Sequence, residues 1–139
     1  KEDLKTVIKG ENNSHLRQIL KKCDIKDNKK LIVDVRGEQL ETAPEDEQLH
    51  VFIQAPRRLL FVYRRAKDLT KDMLGGLFHR ILDDVPDISV EERDEAVQKG
   101  ITCADFDDTT YDPFSDVKVL FYFSNFLFYR KTFFTLRNY

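Results

Sequence analysis

Residues 117–139 read VKVLFYFSNFLFYRKTFFTLRNY and constrain the fold more than any other stretch of the chain. They hold nine of the sixteen aromatic residues, four basic residues and no acid. Apolar and aromatic side chains fall on both faces of an extended backbone here, interrupted by the turn signal Ser124-Asn125. A strand with two apolar faces needs cover on both, from its own core or from a partner. The segment is therefore expected to form a two-stranded ribbon roofed on each side.

At 139 residues, one domain with one core is expected, burying about two-thirds of the unfolded chain's surface. The first residue is Lys1 rather than Met, which points to a domain, residues 1–139, excised from a longer chain. A net charge of -2 argues against a general polyanion binder. That balance hides blocks: residues 38–47 are acidic, 57–67 basic, 83–116 mostly acidic, and 118 onward basic. Such blocks suit a surface with distinct poles. The two cysteines, Cys23 and Cys103, are too few for a disulfide-rich secreted scaffold and read as thiols of a reducing, intracellular compartment, cytoplasmic or nuclear. No stretch approaches the uncharged length of a membrane helix, so no membrane partner is expected.

Leu4, Val7 and Ile8 recur at helical spacing, and so do Leu16, Ile19, Leu20 and Cys23, with Ser14 a candidate cap. Leu31, Val33 and Val35 alternate with Ile32, Asp34 and Arg36, a strand with one core face. Residues 49–54 alternate in the same way, and the apolar run at 59–65 follows after Ala55-Pro56-Arg57-Arg58. The spacing predicts two strands here, joined as an antiparallel hairpin. Asp68 is a candidate cap for a helix whose stripe runs Leu69, Met73, Leu77, Ile81 and Val85, ended by Pro86. Gly75-Gly76 sits mid-helix, marking a kink or a close backbone approach. Ser89 with Glu92 forms a capping-box pattern for a further short helix stopped by Gly100. The order implies an α+β fold: a mostly antiparallel sheet of about five strands, the ribbon central, with helices packed on one face.

Asp105-Phe106-Asp107-Asp108-Thr109 follows the stretch Ile101-Thr102-Cys103-Ala104. This Asp-x-Asp-x-Thr resembles the first motif of the haloacid-dehalogenase-type phosphotransferases. The resemblance implies Asp105 as nucleophile, Asp107 as general acid/base, Thr109 as helper and Mg²⁺ as cofactor. The same residues do not fit an EF-hand, because Thr110 stands where the loop needs glycine and Asp116 where it needs glutamate. Asp83-Asp84-Val85-Pro86-Asp87 spells the DDxxD of prenyl-diphosphate enzymes but reads as an acidic helix end before a proline break. His15, His50 and His79 have no metal-ligand spacing with the cysteines, and no metal or other cofactor is expected on the preferred reading.

Arg57, Arg58, Arg64, Arg65 and Lys67 flank the run 59–63, and Arg130, Lys131 and Arg137 interleave with ribbon aromatics. Bases and aromatics on one sheet face are the ingredients of a single-stranded nucleic-acid platform, and equally of a surface for an acidic protein. Asp112-Pro113-Phe114, then Leu120-Phe121-Tyr122-Phe123 and Phe126-Leu127-Phe128-Tyr129-Arg130-Lys131, is similar to the closing hairpin of the Maf1 repressors of RNA polymerase III. That resemblance implies a transcriptional repressor.

No complete catalytic constellation emerges from these residues. The preferred expectation is a non-enzymatic interaction or regulatory domain, binding another protein with an acidic surface through a sheet face, a sheet edge or the Gly75-Gly76 helix. Phe126, Phe128 and Tyr129 would anchor the partner, and Arg57, Arg58, Arg64, Arg65, Arg130 and Lys131 would steer it.

Overall fold

Alternation at Leu31, Val33 and Val35 gives strand β1 (Ile32–Arg36), with Val33 and Val35 buried and Ile32 and Arg36 facing out. In the computed structural model, which describes residues 4–23, 30–37, 48–83, 85, 87–106, 115–123 and 125–126, this strand is one edge of a sheet. The remaining strands are β2 (His50–Pro56), β3 (Thr102–Asp105) and β4 (Asp116–Tyr122), in the order β1-β2-β4-β3. Every neighbouring pair is antiparallel. The fold is α+β with an antiparallel sheet of four strands among the described residues.

The register decides which face is core. Val35 pairs with Val51 and Val51 with Phe121; Val33 pairs with Ile53 and Ile53 with Val119. All six are buried. Residues directly opposite share a face, so these rows form one apolar layer. Helices α1 (Leu4–Lys9) and α2 (Ser14–Lys22) pack against β1, and α3 (Leu60–Leu82) packs against β2 and β4. A fourth helix, α4 (Val90–Gly100), packs on α3 and carries both halves of the Ser89–Glu92 capping box.

The first arm of the aromatic tail enters this core as a strand. β4 is a central strand, with Val117, Val119 and Phe121 fully buried, but Lys118 is exposed and Leu120 and Tyr122 are half-buried. The strand is therefore sealed on one face, not two. Phe123 and Phe126 continue the core beyond it: Phe126 stacks on Phe78 of α3 at 4.1 Å between ring centroids, and Phe123 meets the same ring edge-on at 5.4 Å. Asn125 and Phe126 have helical backbone, and the second arm of the expected ribbon lies outside the described residues.

The expected strand over residues 59–65, and its hairpin with 49–54, are corrected to helix. A single 3-10 turn (Arg57–Leu59) runs straight into α3, which is 23 residues long. Five consecutive apolar residues at 59–63 fit either period. What decides is the continuation: Tyr63, Ala66, Thr70, Leu74 and Leu77 are buried at helical spacing from the first turns onward. Asp68 is consequently an exposed mid-helix residue rather than a cap, and α3 already ends at Leu82, before Pro86. The strand that does form, β3, comes from the stretch leading into the Asp-x-Asp-x-Thr run, where no strand is expected from the sequence. It is an edge strand with no fully buried residue, so no apolar alternation announced it. Ser14 is the first residue of α2 rather than its cap; Asn13 precedes it in a left-handed conformation.

Candidate functional site

Phe61 is 88% exposed in the first turn of a helix otherwise well packed against the sheet. Tyr63, two residues on, points to the opposite side and is fully buried. Arg64 and Arg65 lie at i+3 and i+4 from Phe61, where helix geometry makes surface neighbours. Arg57 and Arg58 occupy the 3-10 turn that feeds the helix. Four of the arginines expected to steer a partner thus lie within four residues of Phe61 at one helix end rather than along a strand. No acid lies in that turn or in the first turn of α3.

Several of these side chains are held. The Arg57 N–H donates to the Ser115 carbonyl at 3.2 Å, and its Nε and Nη2 each donate to Ser115 Oγ at 3.3 Å, tying the helix start to the head of β4. Arg65 Nε donates to the Lys22 carbonyl at the end of α2, 2.9 Å away. The Arg65 charge also acts on the buried Cys23 thiol: burial pushes that thiol above its ordinary value near 9.0, and the guanidinium opposes the shift. Cys23 is buried and Cys103 exposed.

The opposite side of the same helix fixes its position. Tyr63 donates its hydroxyl to Asp105 Oδ1 at 2.6 Å, and the Lys67 ammonium donates to Asp105 Oδ2 as an ion pair. Asp105 therefore anchors α3 to the edge strand β3. Asp105→Ala removes the acceptor shared by Tyr63 and Lys67 and is expected to cost about 1–2 kcal/mol, the pair being partly solvated. Urea unfolding measures it.

The phosphotransferase resemblance put a nucleophile at Asp105. Here that carboxylate sits on an antiparallel edge strand with both oxygens engaged, while Asp107 and Thr109 lie outside the described residues. Among the described residues no group of three or more His, Cys, Asp or Glu is placed to hold a metal. The histidines are dispersed: His15 Nδ1 donates to the Ile8 carbonyl, His50 Nδ1 to the Gln48 carbonyl, and His79 faces Asp94 at 3.6 Å. Asp83 pairs with Arg93 at 2.8 Å, joining α3 to the α4 helix.

Of the expected anchors, Phe126 is placed in the core with no exposed surface, stacked on Phe78. Phe128, Tyr129, Arg130 and Lys131 lie outside the described residues. The aromatic that does stand out from the surface, Phe61, was not singled out from the sequence. Its signal was present as the i+3 and i+4 arginine spacing, legible once the segment is read with a helical period. Among the described residues no helix is long and apolar enough to cross a membrane.

No protein-family model, curated protein or solved structure matches this chain. The likenesses to the phosphotransferase motif and to the repressor hairpin stand on their quoted residues alone.

Proposed function

We propose that this domain is a non-catalytic protein-interaction or regulatory module that captures an acidic partner on the N-terminal face of α3. The observation that carries the reading is Phe61, 88% exposed on a well-packed helix and accompanied by Arg57, Arg58, Arg64 and Arg65. Aromatics and arginines dominate binding hot spots, and here they stand together on one helix end. The arginines favour carboxylates both for encounter and for bidentate pairing. An intracellular setting belongs to the same reading, two cysteines being too few for a disulfide-rich secreted scaffold.

The test uses the domain as bait for a random peptide-display library, followed by affinity measurement on the enriched clones. Acidic clones carrying an apolar anchor are expected. Phe61→Ala and the double variant Arg58→Glu/Arg64→Glu should each weaken them by about thirtyfold or more, the effect of a hot spot worth about 2 kcal/mol. Unchanged affinity in both variants, or failure to enrich acidic clones, would overturn the proposal. Tighter binding to a labelled single-stranded oligonucleotide, falling steeply with salt, would move the function to nucleic acid instead.

A further inference from the structure

Behind the arginine face, α2 and α3 diverge to leave a cleft of about 480 Å³. Its floor carries the half-buried Leu69 and Met73 of α3 above the buried Ile19 and Leu77, within a mostly polar lining. Its rim carries His15, Lys22 and Arg80 against a single acid, Asp72. Gly76 also lines it, so α3 has no side chain at that point, and the Gly76 carbonyl accepts from Arg80 Nε at 3.4 Å. The cleft joins the arginine face directly, because Lys22 lines it and the Lys22 carbonyl is where Arg65 is anchored.

Among the described residues no close neighbour calls for the two mid-helix glycines. A Cβ built on Gly75 or Gly76 would meet nothing within 4 Å, so neither a close approach nor a tight turn demands them. Glycine is the poorest helix former after proline, yet α3 carries two in succession without a break. By contrast, a missing Cβ on an open wall lets a second helix lie closer, toward the short end of the roughly 8–10 Å range of interaxial distances.

We infer that this cleft receives an amphipathic acidic helix of the partner, crossing α3 at Gly76 after its acidic end has engaged the arginines around Phe61. This rests on the interaction-domain reading and extends it to the partner's shape and chemistry. Lys22 and Arg80 against Asp72 on the rim select acids on the flanks of that helix, and the half-buried Leu69 and Met73 select apolar residues on its facing side. An extended peptide is disfavoured, because two helix walls offer no ladder of free N–H and C=O groups to pair its backbone. A small ligand fits poorly too: Gln18, Lys22, Asp72, Gly76 and Arg80 are all exposed, so this is an open trough rather than an enclosing pocket. From Phe61 to Gly76 the rise along α3 is roughly 22 Å, the length of a partner helix of about 15 residues.

The experiment measures Tm and affinity for the library peptides enriched by the wild-type domain, on three variants. Gly75→Ala, away from the cleft, should raise Tm by about 2–4 °C and leave binding unchanged. Gly76→Ala should raise Tm similarly yet weaken binding several-fold, and Gly76→Leu should weaken it by at least about tenfold. A variant more stable than wild type cannot lose binding by misfolding. Circular dichroism of the enriched peptides should show helix gained on binding. Wild-type affinity in Gly76→Leu, or binding without gain of helix, overturns the inference. If Arg58→Glu/Arg64→Glu still weakens the same peptides, the arginine-face reading survives that failure.

Discussion

Replacing Phe126 by alanine is expected to remove about 3–5 kcal/mol of stability, the cost of emptying a large aromatic site in a packed core. The ring is fully buried and lies flat against Phe78, 9° from parallel, with the edge-on Phe123 completing the cluster. Alanine would forfeit both the buried area and the stacking, which adds about 0.5–1.5 kcal/mol beyond area alone. Against a typical total of about 5–15 kcal/mol, such a loss leaves the domain marginal. Urea unfolding should show a lower midpoint at unchanged slope. Phe61→Ala is the natural contrast, since an 88% exposed ring contributes little to the core; its midpoint should move by no more than about 0.5 kcal/mol equivalent. A Phe126→Ala protein as stable as Phe61→Ala would mean that the aromatic cluster is not where the structure places it. The pair also separates a ring that holds the fold from one that contributes little to it.

Local rules were legible where one short-range interaction decides the outcome. The Ser89–Glu92 box names the start of α4, because both of its hydrogen bonds close within four residues. Leu31, Val33 and Val35 announce β1, because one face is core and the other wet. The run at 59–63 carries no such contrast. Its helical state is settled by residues up to four turns further on, and by Asp105, which lies 42 residues beyond Tyr63 and holds that side chain. β3 was invisible for the opposite reason: an edge strand of partly and fully exposed residues needs only its hydrogen-bonded neighbour, and leaves no apolar signature. The arginines were correctly grouped as a basic block, but a strand reading alternates their directions, while a helix brings Arg64 and Arg65 beside Phe61. Secondary-structure period, more than composition, decided whether the candidate site could be seen.

The same consideration applies to Gly100, a glycine crowded by backbone. Gly100→Ala is expected to cost about 1–3 kcal/mol, as overpacking does in a filled core. A Cβ at this last residue of α4 would stand 2.6 Å from Phe126 Cβ, 2.8 Å from its Cα and 3.1 Å from its backbone nitrogen. Backbone atoms cannot turn away as a flexible side-chain tip can, so the helix end or the Phe126 segment must shift. The identical chemical change at Gly75 meets open space and should stabilise by about 0.4–1 kcal/mol, through the unfolded chain and helix propensity. Opposite signs for one substitution within one protein are a stringent check, read by urea unfolding of both variants. A further background tells backbone from ring: Phe126→Leu keeps the Cα, Cβ and nitrogen that crowd position 100. Gly100→Ala should therefore cost the same there as in wild type, within about 0.5 kcal/mol. Relief of the cost in that background would make the aromatic ring, and not the approach of the chain itself, the reason that residue 100 has no side chain.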